Sequence, residues 1–290
     1  MRRILVTGAN KGIGLGIVQA ILDEHADTFV YLGARDPGRG HEAAAGLVQA
    51  RAARQERIEV IALDVADAAS VSAAGGRVAQ SLRGKRLYAV VNNAGIGGAE
   101  LAAVIETNTL GVQRVCETFL PLLDPAGRVV NVTSASGPSF VSRCSEARQR
   151  FFLDDRVTWP QLRDFIAECL EMAGDAAAFA ARGLGDGEPY GLSKACTNLY
   201  TMILAREQPG LRVNACTPGF ILTDLTRSYA ASSGKSPAEL GMKSPAEGAR
   251  SALQLLFGAL EGNGRYYGSD GKRSPLDRYR APGSPEYRGP

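Results

Sequence analysis

Tyr190 and Lys194, in the stretch Tyr190-Gly-Leu-Ser-Lys194, are the pair whose types and spacing could do chemistry together. Four positions make about one helical turn, so a phenol and an ammonium so spaced can share one face. From Gly191 onward, Leu192, Ala195, Leu199, Met202, Ile203 and Ala205 recur at helical spacing, which predicts the helix this pairing needs. A free phenol titrates at about 10, and an adjacent cation favours the phenolate, drawing its pKa toward the range useful for proton transfer near neutrality. A surface tyrosine and a solvated lysine would read the same way, so the pair takes its meaning from the rest of the chain.

The elements that would position it alternate. Apolar strands are expected at 4–8, 29–34, 58–65, 87–95, 127–134 and 212–219, with a short edge strand at 264–268. Helices are expected after the first strand (GIGLGIVQAILDE), up to about Ala53, over 68–82, around 107–123, from Gly191, and from Pro245 to about Leu260. Such alternation implies parallel pairing with right-handed crossovers and helices on both faces. The fold class is therefore α/β: one doubly wound domain over 1–270, with a mainly parallel central sheet of about seven strands. Between Ser134 and Tyr190 lie 55 residues, long for a simple connection. RQRFF (148–152), TWPQLRDFIAECLEMAG (158–174) and DAAAFAARG (175–183) read as helical, so about 139–188 is a structured insertion. Residues 220–244, rich in Ser, Gly and Ala, read as a substrate lid.

Composition narrows the class. The chain has 290 residues, 45% of them hydrophobic, and no apolar run approaches the ~20 residues of a membrane span. The start, MRRILVTGAN, runs straight into a strand with no long apolar leader. Cys116, Cys144, Cys169, Cys196 and Cys216 are odd in number and scattered, which argues against a zinc site and a disulfide framework; no metal is expected and a cytoplasmic location is the default. The net charge is +3, and residues 271–290 account for it through Lys272, Arg273, Arg278, Arg280 and Arg288 against Asp277 and Glu286. The near-neutral body does not suggest a nucleic-acid reader. The basic, Pro- and Gly-rich 271–290 reads as a poorly ordered tail, with a weak docking role as the alternative.

The first strand leads into Thr7-Gly8-Ala9-Asn10-Lys11-Gly12-Ile13-Gly14. Glycines there let the backbone turn sharply, approach a pyrophosphate and present helix N-terminal amides to it. The spacing is Gly-x-x-x-Gly-x-Gly, not the general G-x-G-x-x-G fingerprint. The second strand ends at Gly33-Ala34-Arg35-Asp36. A cation at this place accommodates the 2′-phosphate of NADP, and a carboxylate bonds the ribose of NAD. Arg35, with Lys11 in the neighbouring loop, favours NADP; a shift of one residue would put Asp36 there and favour NAD.

These features, taken with Asp64-Val65, Asn92-Asn93-Ala94-Gly95, Ser134, Tyr190-x-x-x-Lys194 and Pro218-Gly219 in that order, resemble the short-chain dehydrogenase/reductases over roughly 4–268, which implies a Rossmann-type fold. GANKGIGLGIV, ARDPGRG, NVTS, VNACTPG, Thr223-Asp224 and the insertion are most similar to the monomeric, NADPH-dependent carbonyl reductases. The resemblance implies that Tyr190 gives a proton to a carbonyl oxygen while NADPH delivers hydride to carbon. Lys194 would lower the Tyr190 pKa and hold the nicotinamide ribose, Ser134 would bond the substrate oxygen, and Asn108 would anchor a water on the lysine relay. Asp64 and Val65 would flank the adenine, and the run Asn92 to Gly95, including Ala94, would pack on the cofactor and sheet. Pro218, Gly219 and Thr223 would border the nicotinamide, while Gly8, Asn10, Lys11, Gly12, Ile13 and Gly14 form the phosphate loop. The insertion, similar to one covering the association surface in that branch, implies a monomer; a surface excursion with no bearing on assembly is the alternative. The segment after Gly95 is shorter than in that branch.

Reduction of an aldehyde, ketone or quinone is the activity implied. Alcohol oxidation by the same residues, a non-catalytic NADP-binding sensor, and an isomerase or dehydratase are the rival readings. Cys216 reads as packing rather than as a nucleophile. His25 and His41 lie on separate helices away from any common site, and Trp159 reads as core of the insertion.

Overall fold

In the computed structural model, seven parallel strands form one sheet in the order β3-β2-β1-β4-β5-β6-β7. They are β1 (Arg2–Val6), β2 (Thr28–Ala34), β3 (Ile58–Ala62), β4 (Leu87–Asn92), β5 (Leu123–Val132), β6 (Arg212–Cys216) and β7 (Tyr266–Tyr267). The structure describes residues 1–260 and 262–289, and for Ser228 and Tyr229 the backbone only. The order reverses between β1 and β4, which opens a crevice at the strands' carboxyl ends, where such sheets bind ligands.

Alternation along each strand feeds two cores. Leu5, Tyr31, Val90 and Val129 face one side, where α3 (Ala68–Leu82), α5 (Gly111–Phe119) and α10 (Pro189–Glu207) pack. Ile4, Val6, Val30, Leu32, Ala89 and Val91 face the other, against α1 (Gly12–Glu24), α2 (Pro37–Ala50) and α13 (Arg250–Phe257). Strands buried on both faces read as continuous apolar runs, which is why the sequence shows them so plainly.

The strands stop earlier than the apolar runs. Thr7-Gly8, Leu63 to Val65, Asn93 to Gly95, Thr133-Ser134 and Thr217 to Gly219 all lie in loops just beyond strand ends. Residues singled out for chemistry thus collect on one edge of the sheet.

The insertion forms α6 (Ser136–Val141), α7 (Glu146–Leu153), α8 (Trp159–Glu171) and α9 (Ala176–Ala181). It packs on α10, whose buried side runs almost all round the helix, and Trp159 meets Tyr200 edge-on at 5.3 Å. Instead of one helix at 107–123, α4 (Leu101–Ile105) continues through a π-helical turn at Glu106–Leu110 into α5. The extra residue per turn has a local partner: Thr197 on α10 donates its hydroxyl to the Asn108 carbonyl at 2.7 Å.

Residues 271–289 do not form a loose tail. Tyr267 and Arg273 form an antiparallel bridge, Ser274 N bonds Tyr266 O, and Tyr287 N bonds Arg273 O. Arg280 meets the Asp270 carboxylate through both terminal nitrogens at 2.7–2.9 Å, with its side chain 7% exposed. Arg273 and Arg278 each lie 5.5 Å from the Tyr287 ring centre. Composition suggested disorder because the segment lacks apolar residues; charge and aromatic contacts hold it instead. Pro290 lies outside the described residues.

Candidate active site

The β1–α1 turn is built around glycine. Gly8 has φ +60°, and a Cβ there would stand 2.8 Å from Ala94 Cα; a Cβ on Gly14 would stand 2.4 Å from Gly8 O and 2.5 Å from Asn93 Nδ2. No L side chain fits either place without moving backbone. Asn93 Nδ2 donates to Thr7 O and Gly8 O, while Thr7 Oγ1 accepts from Asn93 N and Ala94 N. Asn93 lies within the expected run Asn92 to Gly95, whereas Thr7 was given no role although it stands inside the glycine-turn motif. The α1 N-cap, Lys11, supplies no side-chain cap, so the first amides of this 13-residue helix face the crevice without an internal partner. Uncapped amides beside a turn that excludes side chains fit a pyrophosphate, and with Arg35 exposed at the end of β2 they fit NADP(H).

Asp36 is otherwise engaged. It caps α2 by accepting from Arg39 N at 3.2 Å and pairs with the Arg39 side chain. Lys11 also departs from expectation: rather than standing with Arg35, its ammonium pairs with Asp224 at 2.6 Å, across to α11 (Asp224–Ser232). That ion pair holds the Asp224 carboxyl below its usual range. Thr223, expected beside the cofactor, would lie 3.4 Å from a Cβ on Gly12. Asp64 closes its own loop by accepting from Ala66 N, and the Val65 carbonyl accepts from Arg114.

Asn92 is corrected by the structure. It is 2% exposed and donates to Asn131 Oδ1 at 2.9 Å, with Cys116 Sγ at 3.4 Å, so its side chain joins β4 to β5 instead of reaching the crevice. The Nδ2 of this buried amide finds its partner on β5, while its Oδ1 has none among the described residues.

On α10, Glu188 caps the helix by accepting from Tyr190 N and Gly191 N, fixing the turn that carries the phenol. The Tyr190 phenol lies beside Ser134, just beyond the end of β5, close enough for the serine hydroxyl to draw its pKa down. Lys194 is 4% exposed, its Nζ donates to Val132 O at 3.2 Å, and it lies 5.5 Å from the Tyr190 ring centre. A Cβ on Gly95 would stand 3.2 Å from Asn108 Oδ1 and 3.4 Å from Lys194 Nζ, so Gly95 lets both approach. Asn108 is fully buried: its side chain exchanges hydrogen bonds with the Ile96 backbone and donates to Ser193 Oγ, tying the loop after β4 to α10.

The titration of this cluster differs from the expectation. Burial pushes the Tyr190 phenol above its usual value, and the Ser134 hydrogen bond acts the other way without cancelling it. Lys194 is not among the causes; burial lowers its own pKa to about 8. Desolvation of two neighbouring groups thus outweighs the attraction between their charged forms. A phenol in this state keeps its proton at neutral pH.

A cavity of about 470 Å³ opens beside Ser134. Ser136, Thr217, Gly219 and Phe220 contribute to its walls, as do Arg278, Tyr279 and Arg280 from the C-terminal segment. Ser136 Oγ lies 3.2 Å from Ser134 Oγ. Pro218 is buried behind this wall, and Gly219 takes φ +91°. The base of 220–244 is closed by the pairing of Ile221 with Lys243. Cys216 is fully buried, its thiol pushed up to about 12 by burial, and packs as expected. His25 stacks on Phe257 at 3.6 Å, and His41 is exposed on α2.

Residues 2–145 match the short chain dehydrogenase family. The chain is 32% identical to carbonyl reductase [NADPH] 1 of Rattus norvegicus over 289 residues, 93% of this chain and 97% of that one. Its fold is similar to salutaridine reductase from Papaver somniferum, with a TM-score of 0.76 and 25% identity over 92% of this chain and 99% of that one. It is also similar to NADPH-bound carbonyl reductase from chicken fatty liver, with a TM-score of 0.65 and 25% identity over 94% and 98% of the two chains. This chain therefore belongs to the short-chain dehydrogenase/reductase family and is most like its carbonyl reductases.

Proposed function

We infer that this NADP(H)-dependent oxidoreductase works as a reductase of aldehydes, ketones or quinones, with Tyr190 as the general acid. One arrangement supports the reading: the Tyr190 phenol lies beside Ser134, with the buried Lys194 5.5 Å from its ring centre, so a proton donor and a hydroxyl converge where a carbonyl oxygen could sit.

Gly8, Asn10, Gly12, Ile13, Gly14 and the amides opening α1 would hold the pyrophosphate, with Arg35, and Lys11 once released from Asp224, on the 2′-phosphate. Asp64, Val65, Ala94 and Gly95 would border the adenosine half, and Pro218, Gly219, Thr223, Tyr190 and Lys194 the nicotinamide half. NADPH, when bound, supplies the hydride. Ser134 Oγ donates to the carbonyl oxygen and steadies the charge that develops there. The Tyr190 hydroxyl gives its proton to the same oxygen, and the Lys194 ammonium stabilises the phenolate left behind. Asn108 acts through position, fixing the loop and α10 that flank Lys194. Residues 220–244 would serve as the lid. The insertion, by covering α10, supports a monomer, which light scattering on the purified protein would check.

The test is Tyr190→Phe, with NADPH consumption followed on a panel of aldehydes, ketones and quinones. A loss of roughly 10²–10⁴-fold in kcat with NADPH affinity retained is expected. Loss of cofactor binding together with activity would mean that Tyr190 is structural.

A further inference from the structure

The cavity beside Ser134 is uneven in charge. Lys243, Arg278 and Arg280 line it, and none of the described residues that line it is acidic. The carboxylates that hold the arginines, Asp277 and Asp270, are not part of the wall. Arg278 meets Asp277 through one terminal nitrogen, with its side chain 59% exposed. Glu247, near Lys243, is turned to its own helix and accepts from Ser244. An adjoining recess is lined by Arg143, Ser136 and Tyr279, and its one acid, Glu188, is bonded to the amides of Tyr190 and Gly191. Tyr279 lines both spaces and is 58% exposed, and Phe220 is 38% exposed at the same cavity. Aromatic surface of this kind is usually covered by something apolar.

We propose that the C-terminal segment, through Arg278 and Tyr279, acts with Lys243 as an anion-recognising wall of the substrate cavity. The preferred substrates are carbonyl compounds carrying a carboxylate on a flat apolar body. The inference rests on reduction at Tyr190 and names the substrate class for it. A guanidinium fork and an ammonium suit a carboxylate, and partial enclosure strengthens their pull. The cavity volume lies within the range of small-molecule sites. Arg280, clamped by Asp270, keeps the segment in register so that Arg278 and Tyr279 face inward. The segment is therefore a determinant of specificity and takes no part in proton or hydride transfer.

The experiment compares 4-formylbenzoate with its methyl ester, using saturating NADPH at low and high salt. The acid-to-ester ratio of kcat/KM should exceed about tenfold at low salt, as expected for charge-assisted contacts, and shrink as salt screens them. In Lys243→Gln/Arg278→Gln the ratio should fall toward unity, and Arg278→Lys alone should keep most of it. Calorimetry with terephthalate, which has no carbonyl to reduce, reads the wall separately; its affinity should drop about tenfold in the double variant. Ester turnover with no preference for the acid and no terephthalate binding overturns the proposal and leaves the reductase reading intact. Terephthalate binding that the double variant loses, with neither aldehyde reduced, upholds the wall and overturns the reductase reading.

Discussion

On the cofactor side of the crevice, Gly8 and Gly14 pack so closely on Ala94, Asn93 and the facing backbone that a single added carbon would touch them, and the Thr7 hydroxyl and Asn93 amide each bond main-chain groups across the turn. On the substrate side, a short backbone bridge at Arg273 starts residues 271–289, and side chains hold much of the rest: Arg280 on Asp270, and Arg273 and Arg278 on the Tyr287 ring. Backbone contacts tolerate almost no substitution at the glycines but are indifferent to most neighbours. Side-chain contacts can be exchanged one at a time. One wall is thus fixed for a constant ligand, while the other can be altered without disturbing it, which suits a site that keeps its cofactor and varies its substrate.

Lys194→Met should give the largest effect, because Lys194 stands where the two walls meet. Activity is expected to fall about 10³-fold, since the phenolate loses its stabilising charge. Stability should move the other way. Unfolded lysine holds its proton up to about 10.5, whereas folded Lys194 releases it at about 8. Below pH 8 the folded chain therefore carries a buried charge at a cost of ~3 kcal/mol, relieved as pH rises from 8 toward 10.5. A higher melting temperature at pH 7 for the inactive variant is the outcome to check. In the wild type, kcat/KM should be level below pH 8 and decline above it as Lys194 becomes neutral.

Gly14→Ala attacks the cofactor wall alone. The added methyl must displace Gly8 O or Asn93, at a cost of about 1–3 kcal/mol, and NADPH affinity should drop by up to about 100-fold. If fluorescence titration shows unchanged affinity, the backbone clamp is not what shapes the pyrophosphate site.

Asp270→Asn attacks the substrate wall alone. It leaves Arg280 without its carboxylate partner and should raise the substrate KM about tenfold, loosen 271–289 to proteolysis, and leave the NADPH dissociation constant within about twofold. An equal loss on both ligands would dissolve the distinction between the walls. The smallest effect belongs to Asp224→Asn, which frees Lys11 from an exposed pair. NADPH affinity should rise by roughly two- to threefold, with NADH affinity unchanged.

The fold was legible because buried parallel strands must be apolar throughout, and helices at 68–82 and from Gly191 declare their period. The glycine turn, Ser134, Tyr190 and Lys194 were legible because their chemistry demands particular residue types at particular local spacing. The π turn around Asn108 was not, since it depends on a hydroxyl from Thr197, 89 positions away. Nor was the place of Asn92, whose partner Asn131 lies on a different strand.

By itself, then, the sequence determined the parallel sheet and the glycine turn, and it singled out Ser134, Tyr190 and Lys194 as the candidate set, because each stands in a short local motif. The tertiary structure alone decided the protonation of Tyr190 and Lys194, since desolvation depends on everything packed around them. It also decided the use of a basic, apolar-poor segment as a cavity wall. Arg278 and Tyr279 line the same cavity as Ser134 because the Tyr267–Arg273 bridge and the Arg280–Asp270 pair turn the chain back over the sheet's edge, a juxtaposition of distant residues that no local pattern encodes.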